Sequence, residues 1–446
     1  MFQDNPTIRQ SANPSIGIAP GRLDVMGGIA DYSGSLLLQM PIAERTIVRL
    51  EVGGEGRERF VVESTHAEEV FEISLEEISG IPYRELGDFL RKRPGGNWAA
   101  YIVGCFAVLK AEKGLAYVGA HIRVSGDVPI GKGVSSSASL EVATMHAICK
   151  AYGLRLDPME LALLAQKVEN LVVGAACGLM DQLSVNMGKE DHLLPIICQP
   201  HEIFQPIRIP EGIRFFGLDS GVRHAVSGAS YSDVRTAAFM AFTVAMIRQG
   251  VPKEQLMDAS SIPFGGFWAN ISPADFQSIY APLIPGQMKG RDFLEEFGIH
   301  IDPVTRVDPD TVYHLYHAAL HPVAENSRIR TFQRVLEDIE QTEDREMSMI
   351  SLGMLMLASH DGYNSVGLGE PVTNRIVELV RQRRGPENDI YGARISGGGS
   401  GGTVTVMVGS EQGYETLLEI RQIMEEETGK ALKLFEGSSD GAHYIN

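Results

Sequence analysis

The chain has 446 residues, 44% of them hydrophobic and 22% charged, and its 39 Lys and Arg against 57 Asp and Glu give a formal charge of −18. That is the make-up of a globular protein with ample core, long enough for two or three domains of about 100–200 residues each. The acidic balance argues against nucleic acid or an anionic membrane as a partner, because both favour basic patches, but it leaves room for an anionic small ligand in a locally positive site.

In chain order, the N-terminal Met1-Phe-Gln-Asp-Asn-Pro6 has no charged region ahead of an apolar core, so no signal peptide is expected. Alternating residues predict strands over 45–52, 59–63, 121–124 and 214–218, and the β-branched run 403–408 predicts another. Helices are expected over 98–113, 137–152, 158–173, 232–248, 325–342 and 413–428, with Gly114, Gly153 and Gly429 placed as C-terminal stops. Strands and helices do not alternate regularly, which favours α+β over a doubly wound sheet. The Pro- and Gly-rich stretch 251–309 reads as long connections and short helices, an insertion over a core. Three prolines within residues 199–212 mark a boundary, giving domains 1–210 and 211–446. The longest nearly apolar run, 237–247, is 11 residues, short of the roughly 20 that a bilayer span needs. A soluble cytoplasmic protein is expected. Cys105, Cys149, Cys177 and Cys198 form no CxxC pair and read as free buried thiols.

Residues 126–141, Gly-Asp-Val-Pro-Ile-Gly-Lys-Gly-Val-Ser-Ser-Ser-Ala-Ser-Leu-Glu, are the most informative segment. They follow a strand, lose side-chain bulk at Gly131 and Gly133, present Ser135, Ser136 and Ser137, then enter a helix. Bare backbone N–H groups, hydroxyls and a helix N-terminus make a phosphate cradle. Helix capping alone needs one serine, not two spaced glycines and three serines. A P-loop does not fit, because Gly133 stands where that motif needs Ser or Thr. The second cluster, Ser396-Gly-Gly-Gly-Ser-Gly-Gly-Thr403, satisfies GxGxxG but opens a strand near the C-terminus, so dinucleotide binding is not expected.

Three motifs in order now carry a family pattern. Ala19-Pro-Gly-Arg-Leu-Asp-Val-Met-Gly27, Pro129-Ile-Gly-Lys-Gly-Val-Ser-Ser-Ser-Ala138 and residues 396–402 resemble the three motifs of the GHMP kinases. Asp31-Tyr32-Ser-Gly34, Cys177-Gly-Leu-Met-Asp-Gln182 and Val222-Arg-His-Ala with Tyr231 resemble the galactokinase branch. Residues 24–36, with Gln166-Lys-Val-Glu-Asn and Ile197-Cys-Gln-Pro, are similar more narrowly to the kinase domain of the plant L-arabinokinases, whose further N-terminal domain is not expected in this sequence.

The resemblance implies a two-domain α+β fold with the active site in the cleft between domains, and phosphoryl transfer from ATP to the anomeric hydroxyl of a monosaccharide. Such transfer depends on positioning and charge neutralisation. Gly131, Lys132, Gly133, Ser135, Ser136, Ser137 and Gly399 are then nucleotide contacts. Ser137 and Glu169 match the Mg2+ ligands, oxygen donors suited to a hard cation. Read alone, Glu169 would be a solvated helix residue. Asp181 matches the proposed base and Arg22 the cation beside it; the plainer reading of Asp181 is an N-cap for the helix that ends at Gly188. Asp31 and Tyr231 match side chains that bind ring hydroxyls, and Gly178 a backbone contact; alone, Tyr231 would simply pack. Trp98 is a candidate wall for the adenine, or a core aromatic at a helix start.

Where galactokinases carry Glu-His-Thr, with Glu and His reaching the C6 hydroxyl, this chain has Gly28, Ile29 and Ala30. A buried, unpaired sugar hydroxyl costs on the order of 1–3 kcal/mol. L-Arabinopyranose keeps galactose's arrangement at C1 to C4 and has no C6, so the expected product is L-arabinose 1-phosphate. The rivals are a galactokinase, a 6-deoxy-sugar kinase, and a non-catalytic sugar and nucleotide sensor. His317, His321 and Glu325 recur along one helix face, but Pro322 interrupts it and an exposed helix end is expected. Residues 381–384 read as a solvated helix terminus. Nothing in the sequence speaks to oligomeric state.

Overall fold

The computed structural model describes residues 13–53, 58–175, 177–199, 201–223 and 229–445. The first motif builds a strand despite its proline and glycines. β1 (Ser15–Met26) pairs antiparallel with β2 (Leu36–Val52), and its register slips between Pro20 and Arg22 and again between Asp24 and Met26. Such irregularities bend a strand and re-aim its side chains. Here they flank Arg22 and Asp24, two buried charges.

β3 (Arg59–Ser64), β4 (Phe71–Ser74), β5 (Ala120–Gly126), β6 (His192–Ile197), β7 (Glu202–Ile203) and β8 (Ile207–Arg208) join β1 and β2 in one sheet, antiparallel except for the β3–β5 pair. β9 (Arg214–Asp219) begins a second sheet. β10 (Met288–Lys289), within the stretch expected as an insertion, and β11 (Val312–Tyr313), just beyond it, form a ribbon. β12 (Ile390–Ile395), β13 (Thr403–Val408) and β14 (Leu434–Phe435) complete the second sheet in the order β12-β13-β9-β14. β15 (His443–Ile445) returns to pair with β1.

Helices Gly96–Lys113 and Ser136–Tyr152 bury Phe106, Val142 and Ile148 against Phe60 and Val62 of the first sheet. Helices Pro371–Arg383 and Glu411–Thr428 cover the second sheet with Ile376, Leu417 and Ile420. Leu23 and Met26 of β1 join Phe215, Phe332, Met356 and Met407 in a cluster between them. The insertion packs Trp268 and Phe276 against helix Ala229–Arg248, in a cluster that also holds Ile29, Tyr32 and Tyr363. No helix among the described residues is long and apolar enough to cross a membrane.

β13 falls on the expected residues, and left-handed Gly114, Gly153 and Gly429 end their helices. Two expectations change. The helix expected from residue 325 begins at Leu315 and runs through Pro322. An interior proline costs about 3 kcal/mol of helix stability, yet His321, Pro322, Val323 and Glu325 are all buried, so packing overrides it. His321 and Glu325 are therefore core residues rather than an exposed end, and burial holds the His321 imidazole neutral, its pKa pushed down to about 4. The helix expected over 158–173 stops at Lys167 and continues as a π-helical turn, Val168–Val173. All four cysteines are free; three are buried and Cys177 is half-buried.

Candidate active site

After β5 the chain turns through Gly131 and Gly133, at φ 74° and 71°, to Ser135 at φ 60°. A serine there accepts strain of about 1 kcal/mol. Helix Ser136–Tyr152 starts at once, and its first N–H groups have no partner within the helix. The Ser135 hydroxyl is buried with no hydrogen-bond partner among the described residues. That costs about 1–3 kcal/mol unless a ligand oxygen completes it. Glycines in left-handed backbone, an orphaned hydroxyl and a helix start fit a phosphate. Lys132 is less available than the sequence suggests: its ammonium pairs with Asp219 Oδ2 at 2.7 Å and its carbonyl accepts from Thr403 Oγ1. The second glycine cluster leads into β13 and lies on this loop: a Cβ built on Gly402 would sit 2.9 Å from the Lys132 carbonyl oxygen. Gly399 faces Leu368 and Tyr363.

Arg22 ties that loop to Asp181. Its Nη1 donates to the Gly133 carbonyl at 2.6 Å, while Nε and Nη2 donate to Asp181 Oδ1 at 3.1 and 2.8 Å. Asp181 lies inside the first turn of helix Met180–Met187, whose N-cap position is Leu179, so it is not the N-cap. Its side chain is 25% exposed against 3% for Arg22, which leaves the carboxylate accessible and its cation fixed.

Glu169 sits in the π-helical turn, a feature common at functional sites. It is buried among Ser137, Cys177 and Gln182, each hydrogen-bonding its carboxylate, with Gln182 Nε2 at 2.7 Å. Burial, and next the charge of Asp181, push its pKa up to about 7. Gln182 Nε2 also reaches Glu141 Oε2 at 3.2 Å, and burial holds Glu141 well above the usual carboxylate range. A hydroxyl and crowded carboxylates short of positive charge suit a hard divalent cation.

Asp31 lies in the buried 3-10 turn Gly28–Ser33. Tyr231 Oη donates to its Oδ1 at 3.0 Å, and a Cβ at residue 178 would collide with Oδ2, so Gly178 keeps that edge clear. Burial raises the Asp31 pKa to about 7, against the lowering influence of Arg235. Arg235 is itself clamped by Asp302 of the insertion, Nε to Oδ2 and Nη2 to Oδ1, both at 2.8 Å. Trp268 N–H donates to Ser33 Oγ at 3.1 Å, so the insertion buttresses this turn. Gly28, Ile29 and Ala30 are buried and bring no polar side chain. Trp98 is half-buried against the first core and also lines a cavity of about 350 Å³ with Arg91, Asn97, Tyr101 and Val173.

The structure thus brings Arg22, Asp181, Gly133, Ser137 and Glu169 together, with Asp31 close enough to Asp181 for their charges to interact. Residues 224–228, part of the segment around Val222–Tyr231, lie outside the described residues. Sequence reasoning missed Glu141, Gln182 and Arg235. Glu141 was within reach, since it stands one helical turn after Ser137 on the same face. Gln182 adjoins Asp181 in a quoted motif; Arg235 follows Tyr231 by one turn.

Residues 100–189 match the family described as GHMP kinases N terminal domain. The chain is 38% identical to an L-arabinokinase of Arabidopsis thaliana over 95% of its own length, and it spans 45% of that relative. It is 30% identical to a galactokinase of Actinobacillus succinogenes over 99% of this chain and 96% of the relative. Its fold is similar to that of Lactococcus lactis galactokinase complexed with galactose, with a TM-score of 0.75 at 19% identity, covering 97% and 96% of the two chains. Methanococcus jannaschii mevalonate kinase is similar at a TM-score of 0.56 and 15% identity, covering 98% and 99%. Identity at the level of the bacterial galactokinase, along nearly the whole of both chains, marks common descent: this chain belongs to the GHMP kinase family.

Proposed function

We propose that the chain is an ATP-dependent sugar 1-kinase whose preferred substrate is L-arabinose, giving L-arabinose 1-phosphate. The observation that carries the reading is the placement of Asp181. It is held by Arg22, is partly open, and has the metal-type carboxylate Glu169 and the sugar-type carboxylate Asp31 as charged neighbours. Acceptor, base and phosphate cradle are the three parts that a phosphoryl transfer needs in one place. The names of the relatives, L-arabinokinase and galactokinase, support a sugar acceptor.

In this mechanism Asp31 and Tyr231 take ring hydroxyls. Arg22 fixes Asp181 through Oδ1, leaving Oδ2 to accept the proton of the anomeric hydroxyl and aim its oxygen. The transition state for phosphoryl transfer is loose, so orientation counts at least as much as early deprotonation. The backbone of residues 131–137 and the Ser135 hydroxyl hold the phosphates, and the Trp98 cavity takes the adenine. Ser137 and Glu169 would hold Mg2+, which when bound neutralises phosphate charge. The cleft runs between residues 1–210 and 211–446.

The choice of sugar follows from residues 28–30. No side chain there can pair with a C6 hydroxyl, and leaving it unpaired disfavours a hexose by roughly 10–100-fold. The test is ADP release with MgATP across a panel of free sugars, with the phosphate located by NMR coupling to C1. Turnover with L-arabinose and phosphate on C1 is the expected result. Release with no sugar, or phosphate on another carbon, contradicts the reading.

A further inference from the structure

A Cβ built on Gly28, at φ 49°, would fall on the Tyr363 hydroxyl, with Asp24 Oδ2 at 2.6 Å and Tyr363 Cζ at 2.9 Å. The place of a side chain at residue 28 is therefore taken by Tyr363, a residue 335 positions later on helix Arg345–Ser365. Tyr363 is fully buried. Its Oη accepts from Ile29 N–H at 2.9 Å and donates to the Gly397 carbonyl at 2.6 Å. A phenol has one proton, and this one is committed to Gly397, so the group has none to give a sugar oxygen.

Position 28 matters because it opens the buried 3-10 turn Gly28–Ser33, which carries Asp31. The tyrosine also ties this turn to the glycine loop that rests on the catalytic arginine, since a Cβ on Gly397 would sit 3.0 Å from Arg22 Nη2. Its ring packs beneath the Arg394 guanidinium at 5.2 Å and against the edge of His321, which fixes its depth.

We infer that Tyr363 is a specificity-determining residue: it fills the position of a side chain at residue 28, closes the sugar site against a substituent on C5, and fixes the Asp31 turn. The inference rests on the sugar-kinase reading above and adds the residue that enforces its selectivity.

Two variants test it, each assayed with L-arabinose, D-galactose and ATP in turn. Tyr363→Phe keeps the ring and frees the Ile29 N–H; the KM for L-arabinose should rise about tenfold while the KM for ATP moves less than about twofold, the size of one lost hydrogen bond. Tyr363→Leu opens room beside residue 28; the kcat/KM ratio of D-galactose to L-arabinose should rise about tenfold, as expected for a pocket gaining space for one carbon. Gly28→Ala should cripple sugar binding alone and recover part of it when combined with Tyr363→Leu. A merely structural tyrosine would lower Tm and both sugars' kcat/KM in parallel, leaving the ratio and the KM for ATP in step, and that outcome overturns the inference. A wild-type protein that prefers D-galactose overturns the pentose reading instead; the inference is then decided by whether Tyr363→Leu still changes the ratio.

Discussion

Two Asp–Arg pairs lie within three residues of β1, and they do opposite things. Arg22 reaches Asp181, whose side chain is 25% exposed and is bonded by the guanidinium through one oxygen. Asp24 meets Arg394 with both side chains fully buried. There every oxygen is used: Oδ1 accepts from Gln39 Nε2 and Gly28 N–H, Oδ2 from Arg394 Nη1 at 2.7 Å and from Gly397 N–H. On the proposed function, the same two groups make a reactive pair where one oxygen is left free, and a strut where none is. Through Gly397 N–H, the strut also ties the first motif to the third.

Substitution should separate the two pairs. Asp181→Asn should lower kcat by about 10²–10⁴-fold, the usual contribution of a positioned proton acceptor, with a smaller loss of stability than Asp24→Asn because the Asp181 side chain is 25% exposed. Asp24→Asn should do the reverse, leaving the Arg394 charge buried and uncompensated at a loss of about 3–5 kcal/mol in urea unfolding. Equal losses of activity and stability in both variants would erase the distinction.

Smaller effects sharpen it. Gln182 holds the buried Glu169 carboxylate, so Gln182→Leu should raise the Mg2+ concentration for half-maximal activity by about 10–100-fold, as losing a ligand's supporting hydrogen bond does elsewhere. Asp31 should give the mildest signal. Its carboxyl titrates at about 7 rather than 3.8 because it is buried. A sugar hydroxyl needs the ionised form as acceptor, so the sugar KM should rise about tenfold between pH 8 and pH 6. Stability of the sugar-free protein should run the other way. The folded state binds the proton more tightly than the unfolded state, so this contribution is complete below about pH 4 and is lost as pH rises through about 7. Asp31→Asn should flatten both profiles.

Local patterns made much of this molecule legible in sequence. The β-branched run of β13, the αL glycines and the serine loop before helix Ser136–Tyr152 each announce themselves within a few residues. β1 did not, because Gly17, Pro20 and Gly21 interrupt any local strand pattern, and the strand is set by pairing with β2. Helix Leu315–Asp338 runs through Pro322 because burial outweighs local preference, a balance that periodicity does not show. In the site, residues that belong to a family motif were legible even when far apart, as Arg22 and Asp181 are, whereas Tyr363 and Arg394, which act on residues 334 and 370 positions away, and Asp302, which clamps Arg235 across 67, stand in no such motif. Only the fold brings such partners into contact.

The most direct test of the account is a competition between L-arabinose and D-galactose for the wild-type protein with MgATP, read as the ratio of their kcat/KM values. A site with no polar side chain at residues 28–30 should favour L-arabinose by roughly 10–100-fold. A ratio at or below one would contradict the claim that these residues, backed by Tyr363, choose the sugar.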